Sequence, residues 1–188
     1  TFGTVDILVN NAGIGIYAPY DEVVWEHFVE MWDVNFFGAV CAMRAVGPIM
    51  KRRGRGTIVN ISSVAGRIPL PFMAGYCATK FALNAFSDSV RTELAGQGIR
   101  VVIVCPGRVR TAFHDRAYYD GRAKEYRGRL GGGISAERVA RVTMRAVLWG
   151  QREVAVPWVM RLAIGFRALF PAFTDRLIRD VLWREVSG

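Results

Sequence analysis

The chain has 188 residues, 52% of them hydrophobic, and its 22 Arg and three Lys against 16 acidic side chains leave a formal net charge of +9. That length suits one domain with a substantial core and is short for two. Three cysteines with no C-x-x-C spacing and only two histidines argue against a zinc site or a disulfide framework, and no stretch reaches the roughly 18 uncharged apolar residues of a membrane span.

Thr1 is not a methionine, and by Asp6 the sequence is already in an apolar run, Ile7 to Val9, so it reads as a chain entered mid-domain. Residues 6–10 form a short buried strand that ends in Asn11-Ala12-Gly13. Residues 23–51 carry one long helical pattern, stopped by Gly54 and Gly56, and residues 57–61 are a β-branched strand running into Ser62-Ser63-Val64-Ala65-Gly66. After Pro69 and Pro71, residues 75–94 read as a helix closed by Gly96 and Gly98. Residues 100–105 have the near-continuous apolar character of a strand buried on both faces, and stop at Pro106-Gly107.

Residues 111–133 carry Arg, Tyr and Gly without a strong period and read as a mobile excursion with short helices, a length usually reserved for lids and binding segments. Ser135 is an N-cap for a helix over 136–149, and 153–156 supply a last strand. Along that helix Arg138, Arg141 and Arg145 stand opposite Val139, Val142, Ala146 and Val147, the pattern of a solvated face. The positive charge permits nucleic-acid or anionic-membrane contact, but no nucleic-acid motif accompanies it, so no such partner is expected. Cys41, Cys77 and Cys105 read as reduced, mostly buried thiols of a cytoplasmic protein.

Alternating strands and helices with right-handed crossovers predict an α/β fold, a doubly wound parallel sheet. Ligands of such sheets sit beyond the carboxyl ends of the strands, where Asn11 to Gly13, Ser62 to Gly66 and Pro106 to Thr111 all fall. Among these clusters lies a pair with chemistry. Tyr76 and Lys80, four residues apart on one helix face, can act on one ligand, and a nearby cation lowers a phenol pKa from its ordinary value of about 10 toward neutrality. An ordinary helix with a half-buried Tyr and a surface Lys is the plain alternative. Ser63, thirteen residues earlier at a strand end, could hydrogen-bond a carbonyl oxygen that turns alkoxide-like, or could simply form the turn.

Together with Asn10-Asn11-Ala12-Gly13, Asn35 within Asp33-Val34-Asn35-Phe36-Phe37-Gly38, and Pro106-Gly107-Arg108-Val109-Arg110-Thr111, these motifs stand in the order and spacing of a known family. From about residue 5 to 156 the chain resembles the short-chain dehydrogenase/reductases. The resemblance implies a Rossmann-like oxidoreductase that moves a hydride between NAD(P)(H) and a carbonyl/secondary alcohol pair. In it Tyr76 is the general acid/base, Lys80 lowers the Tyr76 pKa and binds the nicotinamide ribose, Ser63 orients the substrate oxygen, and Asn35 holds a water that links Lys80 to solvent.

Asn11, Ala12 and Gly13 would pass beside the adenosine and ribose side of the cofactor. Pro106 and Gly107 would lead the chain under the nicotinamide, with Val109 and Thr111 at its carboxamide or pyrophosphate. The family's Gly-rich phosphate loop is not in these 188 residues, so the fold is expected as a truncated one, NAD and NADP stay equal candidates, and the piece alone is expected to expose an apolar sheet edge, to bind nucleotide poorly or to fold marginally. Retention of Asn35, Ser63, Tyr76 and Lys80 together argues against a non-catalytic scaffold.

Tyr17, Pro19, Tyr20, Leu70, Phe72, Met73, Phe113, Tyr118 and Tyr119 border the expected pocket and point to a lipophilic small-molecule substrate. A homodimer or homotetramer built on the long helices is what the resemblance implies. Residues 1–156 are read as the partial dehydrogenase domain and 157–188 as an apolar, basic helical extension. That extension suits a membrane interface, a cover for the pocket or a subunit contact, and the sequence does not choose among them.

Overall fold

The computed structural model describes residues 3–126 and 132–187, the side chains of 126 and 181–187 excepted. In chain order the elements begin with β1 (Ile7–Asn10), β2 (Ile16–Tyr17), α1 (Trp25–Trp32), a π-helical turn (Asp33–Phe37), α2 (Gly38–Arg53), β3 (Gly56–Ile61), a 3-10 turn (Val64–Gly66) and α3 (Ala74–Glu93). There follow β4 (Ile99–Pro106), β5 (Val109–Arg110), α4 (Phe113–Arg116), β6 (Tyr118–Tyr119), a 3-10 segment (Gly121–Tyr126), β7 (Ile134–Ser135), α5 (Ala136–Leu148), β8 (Glu153–Val156), α6 (Met160–Leu169) and α7 (Pro171–Ser187).

Strands β1, β3, β4 and β8 form one parallel sheet in the order β1-β3-β4-β8. The alternation of side chains along β4 sorts the helices to its two faces. Ile99 and Val101 join Met43, Met50 and Leu83 of α2 and α3 on one face, while Val102 and Val104 meet Ala146 and Val147 of α5 on the other. From Val101 to Pro106 β4 is buried on both faces, which is why its sequence beyond the exposed Arg100 is apolar.

One polar line crosses this core. Asn10 Nδ2 donates to Asn60 Oδ1 (2.7 Å) and Asn60 Nδ2 donates to Ser87 Oγ (2.7 Å), so every fully buried amide donor here has an acceptor. Cover is uneven at β1. Leu8 faces α2 and α3, but Ile7 and Val9, on the α5 side, are 46% and 52% exposed. The expected bare apolar sheet margin is therefore present.

The helix ends follow the sequence signals. Gly54 closes α2 at φ +65° beside Lys51, Arg52 and Arg53, a cap that favours glycine and places cations at the negative end of the helix dipole. Ser135 Oγ accepts from Arg138 N (3.3 Å) at the start of α5, and Arg138, Arg141 and Arg145 all face solvent.

Three expectations need correction. The helical pattern over 23–51 is interrupted by the π turn, because Asn35 is drawn inward to hydrogen-bond outside its own helix. Residues 111–126 carry, besides short helices, the strand β6, which pairs with β2; β5 and β7 pair on either side of the segment, and residues 127–131 lie outside the described residues. Cys77 and Cys105 are buried, but Cys41 is exposed, on the side of α2 that turns from the sheet.

Candidate active site

The site assembles where β1, β3 and β4 end. The extended backbone of Ser63 starts the 3-10 turn after β3; its Oγ accepts from Ala65 N (3.0 Å) and lies 3.4 Å from the Pro106 carbonyl at the end of β4. Tyr76 stands in the first turn of α3, is buried, and meets the edge of Phe113 (centroids 5.7 Å). Its phenol is pushed up from the ordinary value by burial, and a hydrogen bond with Ser63 is the largest opposing influence. The Ser63–Tyr76 pairing joins two residues that the sequence holds thirteen apart.

Lys80, one helical turn on, is 3% exposed. Its Nζ donates to Ile61 O (3.2 Å) and lies 5.8 Å from the centroid of the Tyr76 ring, and burial pushes the amine down to about 8. The amine nitrogen stands over the Tyr76 ring, and desolvation is the largest influence on that phenol.

Asn35 is 1% exposed, not a solvent-facing helix residue. Its Oδ1 accepts from Ile14 N (2.8 Å), and its Nδ2 donates to Ile14 O (2.9 Å) and Thr79 Oγ1 (3.1 Å). Thr79 in turn donates to Tyr76 O (2.8 Å), so the π turn, the strand end and the start of α3 are bolted together. Such π turns concentrate at functional sites because they re-aim a side chain without ending the helix.

Gly13 completes the floor. A Cβ placed on it would stand 3.3 Å from Asn35 Oδ1 and 3.5 Å from Lys80 Nζ, so the missing side chain keeps open a space walled by both groups. Lys80 carries three N–H donors and, among the described residues, one acceptor, which leaves donors for the hydroxyls of a ligand in that space. Asn11, Ala12 and Thr111 are exposed along the same sheet edge, Gly107 N donates to Val156 O (2.7 Å), and Val109 is half-buried in β5. Thr111 Oγ1 accepts from Phe113 N (3.3 Å). No cluster of three metal-ligating side chains occurs among the described residues.

Near Tyr76 the structure joins the expected Tyr17, Tyr118 and Tyr119 to three groups that local sequence patterns did not mark, His114, His27 and Asp120. Tyr17 OH lies 2.8 Å from His114 Nδ1, and the Tyr17 ring stacks on Tyr119 (4.8 Å, 11°). Burial, with Tyr119 nearby, pushes the Tyr17 phenol up to about 12. Farther along, Asp120 is buried and accepts from Val24 N (3.0 Å) and His27 Nδ1 (2.9 Å), and the His27 ring stacks on Tyr118 (3.7 Å).

A cavity of about 260 Å³ lies beside these elements, lined among others by Ile16, Pro19, Tyr20, Phe28, Phe72 and Gly75. It takes Pro19, Tyr20 and Phe72 from the expected pocket border. Leu70, Met73, Phe113 and Tyr118 instead pack around Tyr76 and Cys77.

The comparisons agree with this geometry. A family model described as short chain dehydrogenase matches residues 1–120. The chain is 33% identical over 187 residues to mouse dehydrogenase/reductase SDR family member 7B, covering 98% of this chain and 58% of that protein. It is 40% identical over 126 residues to bovine retinol dehydrogenase 8, covering 67% of this chain and 40% of that protein.

Among solved structures, a short chain dehydrogenase from Burkholderia cenocepacia in complex with NADP superposes with a TM-score of 0.78 at 27% identity, over 94% of this chain and 70% of that one. One from Streptomyces avermitilis gives 0.74 at 29%, over 93% and 70%. The chain spans about half the length of the curated relatives it matches. A doubly wound sheet, a Ser–Tyr–Lys–Asn cluster at its carboxyl edge and a family match over more than half its residues place this chain in the short-chain dehydrogenase/reductase family.

Proposed function

We propose that the protein is an oxidoreductase that moves a hydride between a nicotinamide dinucleotide and a carbonyl or secondary alcohol, with Tyr76 as general acid/base. The convergence of Ser63, Tyr76 and Lys80 carries this reading, together with the space that Gly13 leaves open beside Lys80 and Asn35. A nicotinamide bound there supplies or accepts the hydride. Lys80 would hold ribose hydroxyls with its remaining donors, Asn11, Ala12 and Gly13 would border the nucleotide, and Pro106, Gly107, Val109 and Thr111 would border the nicotinamide end.

In the reducing direction the Tyr76 hydroxyl gives its proton to the substrate oxygen while Ser63 Oγ donates a hydrogen bond to the same atom. Burial opposes the phenolate that results, so Ser63 and the Lys80 ammonium must offset that cost when the proton moves. Asn35 positions this machinery through Ile14 and Thr79, and its Oδ1 faces the place where a water could relay protons to Lys80. NAD and NADP are both covered, since the Gly-rich turn and the acidic or basic residue that separate them in this fold are not among these 188 residues. The NADP in the Burkholderia cenocepacia structure supports the cofactor class.

The apolar cavity and the aromatic surroundings of Tyr76 support a lipophilic substrate, and the name of the bovine relative, retinol dehydrogenase 8, points the same way. Residues 1–156 act as the dehydrogenase/reductase part and 157–188 as a helical extension. The protein works in the cytoplasm as a homodimer or homotetramer, assembled through the exposed Val29, Phe37 and Phe81 of the long helices. The test is turnover of NADH and NADPH by the full-length protein with hydrophobic ketones, followed by absorbance. Tyr76→Phe should abolish turnover and leave nucleotide binding intact, whereas tight nucleotide binding without turnover on any substrate would overturn the reading in favour of a nucleotide sensor.

A further inference from the structure

Among the described residues an exposed apolar surface outside the site lies on α6 and the start of α7. Met160 and Ile164 seat α6 on Ile103, Cys105 and Ala155 of the sheet. The opposite side of the same helix is open: Leu162 is 62% and Leu169 75% exposed, and Phe166, Phe170 and Phe173 are exposed with them. Within α6, Leu162, Phe166 and Leu169 stand four and seven residues apart on one stripe, and Phe170, at the break before α7, and Phe173, on α7, lie against it. The stripe is continuous, since Phe166 meets Phe170 at 5.1 Å and Phe173 at 5.7 Å, and the Arg167–Asp175 ion pair (3.3 Å) holds α7 against α6.

The stripe is also placed and charged in a particular way. Exposed Trp158 opens it two residues after Val156, whose carbonyl takes the Gly107 N–H, so the apolar surface begins at the sheet edge that carries the site. Arg161, Arg176 and Arg179 are exposed around it. No helix among the described residues is long and apolar enough to cross a membrane. Aromatic and leucine side chains on one face with arginines beside them are the composition of a helix lying in a headgroup layer.

We propose that the α6–α7 face seats the protein on an anionic lipid surface, its apolar stripe at the headgroup–acyl boundary and its arginines against the lipid head groups. Local charge favours this occupant: across residues 157–180 Arg161, Arg167, Arg176 and Arg179 outnumber Asp175 and Asp180, and an anionic bilayer attracts that excess. The proposal stands apart from the reaction chemistry, and its consequence for a lipophilic substrate is entry from the bilayer side.

The experiment is flotation of the full-length protein with vesicles of phosphatidylcholine alone and of equimolar phosphatidylcholine and phosphatidylserine, with lipid-free sizing in parallel. Flotation is expected with the anionic vesicles and should weaken as salt is raised. Leu162→Glu with Leu169→Glu should lower the bound-to-free ratio by about tenfold or more, and Arg176→Glu with Arg179→Glu by about tenfold. Leu148→Glu, just as exposed but at the far end of the sheet on α5, should leave it unchanged. Absence of flotation with anionic vesicles overturns the proposal, as does flotation that ignores the leucine changes. A lipid-free dimer that the leucine changes split apart would assign the face to a second copy instead.

Discussion

Replacing Asn35 with Ala tests whether the π turn is a structural bolt as well as a positioning device. The side chain satisfies both the N–H and the C=O of Ile14 and bonds Thr79 Oγ1, at 2.8, 2.9 and 3.1 Å, in a place sealed from solvent. Its loss strands two backbone groups, each costing about 1–3 kcal/mol when buried without a partner. The expected loss is therefore about 2–6 kcal/mol, a large part of the roughly 5–15 kcal/mol that holds a domain folded. At about 2–4 °C per kcal/mol for a domain of roughly 150–250 residues, the midpoint of thermal unfolding should fall by roughly 4–24 °C. Thr79→Val removes the bonds to Asn35 Nδ2 and to Tyr76 O and should cost about 1–3 kcal/mol. Urea and thermal unfolding of the full-length protein give both numbers, and an Asn35→Ala loss below about 1 kcal/mol would refute the account, since water would then be serving Ile14 equally well.

Three further outcomes follow from the geometry. An unfolded lysine keeps its proton to about pH 10.4, whereas burial holds folded Lys80 at about 8; between those values the unfolded state binds the extra proton, so stability should climb with pH. Urea midpoints at about pH 7.5 and 9.5 should show that climb in the wild type and lose it in Lys80→Met. Gly98→Ala should destabilise by about 3 kcal/mol or more, because at φ +70° its Cβ would overlap the Gly54 carbonyl, while Gly96→Ala, at φ +81° with nothing within 4 Å, should cost about 1 kcal/mol; equal melting losses would contradict the packing. Asp120→Ala removes the partners of Val24 N and His27 and should cost about 2 kcal/mol. Limited proteolysis should then cut within residues 118–126 faster than in the wild type, and an unchanged pattern would mean the segment is held elsewhere.

What could be read in advance was whatever leaves a local period or a local spacing. The β-branched runs of β3 and β4 announced themselves within a residue or two, as did the Ser135 cap and the arginine face of α5, because each depends on neighbours a few positions away. The Tyr76 and Lys80 pair was visible for the same reason. The two-residue strands β2 and β6 were not, since so short a strand has no alternation to detect, and their pairing spans about a hundred residues. Tyr17 with His114 and His27 with Asp120 are contacts of that same kind, made by chain segments that meet only after folding. The π turn escaped because an apolar pattern of period 3.6 hardly changes when one residue is added to a turn. Its cause, the amide of Asn35 reaching Ile14, again lies in tertiary structure.

The asparagine line from β1 to α3 has a consequence for how the chain finds its pairing. Side chains alternate along a strand, so a slip of β1 by one position would swing Asn10 to the uncovered face and leave the Asn60 carbonyl oxygen in the core without its donor. The same slip would carry Gly13 about 3.3 Å along the strand axis, away from the spot that Asn35 and Lys80 enclose. A β1 strand bare on one side would otherwise be the least faithful seam of the sheet. Here a wrong alignment is penalised by an orphaned amide, so the backbone that must pass closest to a bound ligand is delivered in one register only.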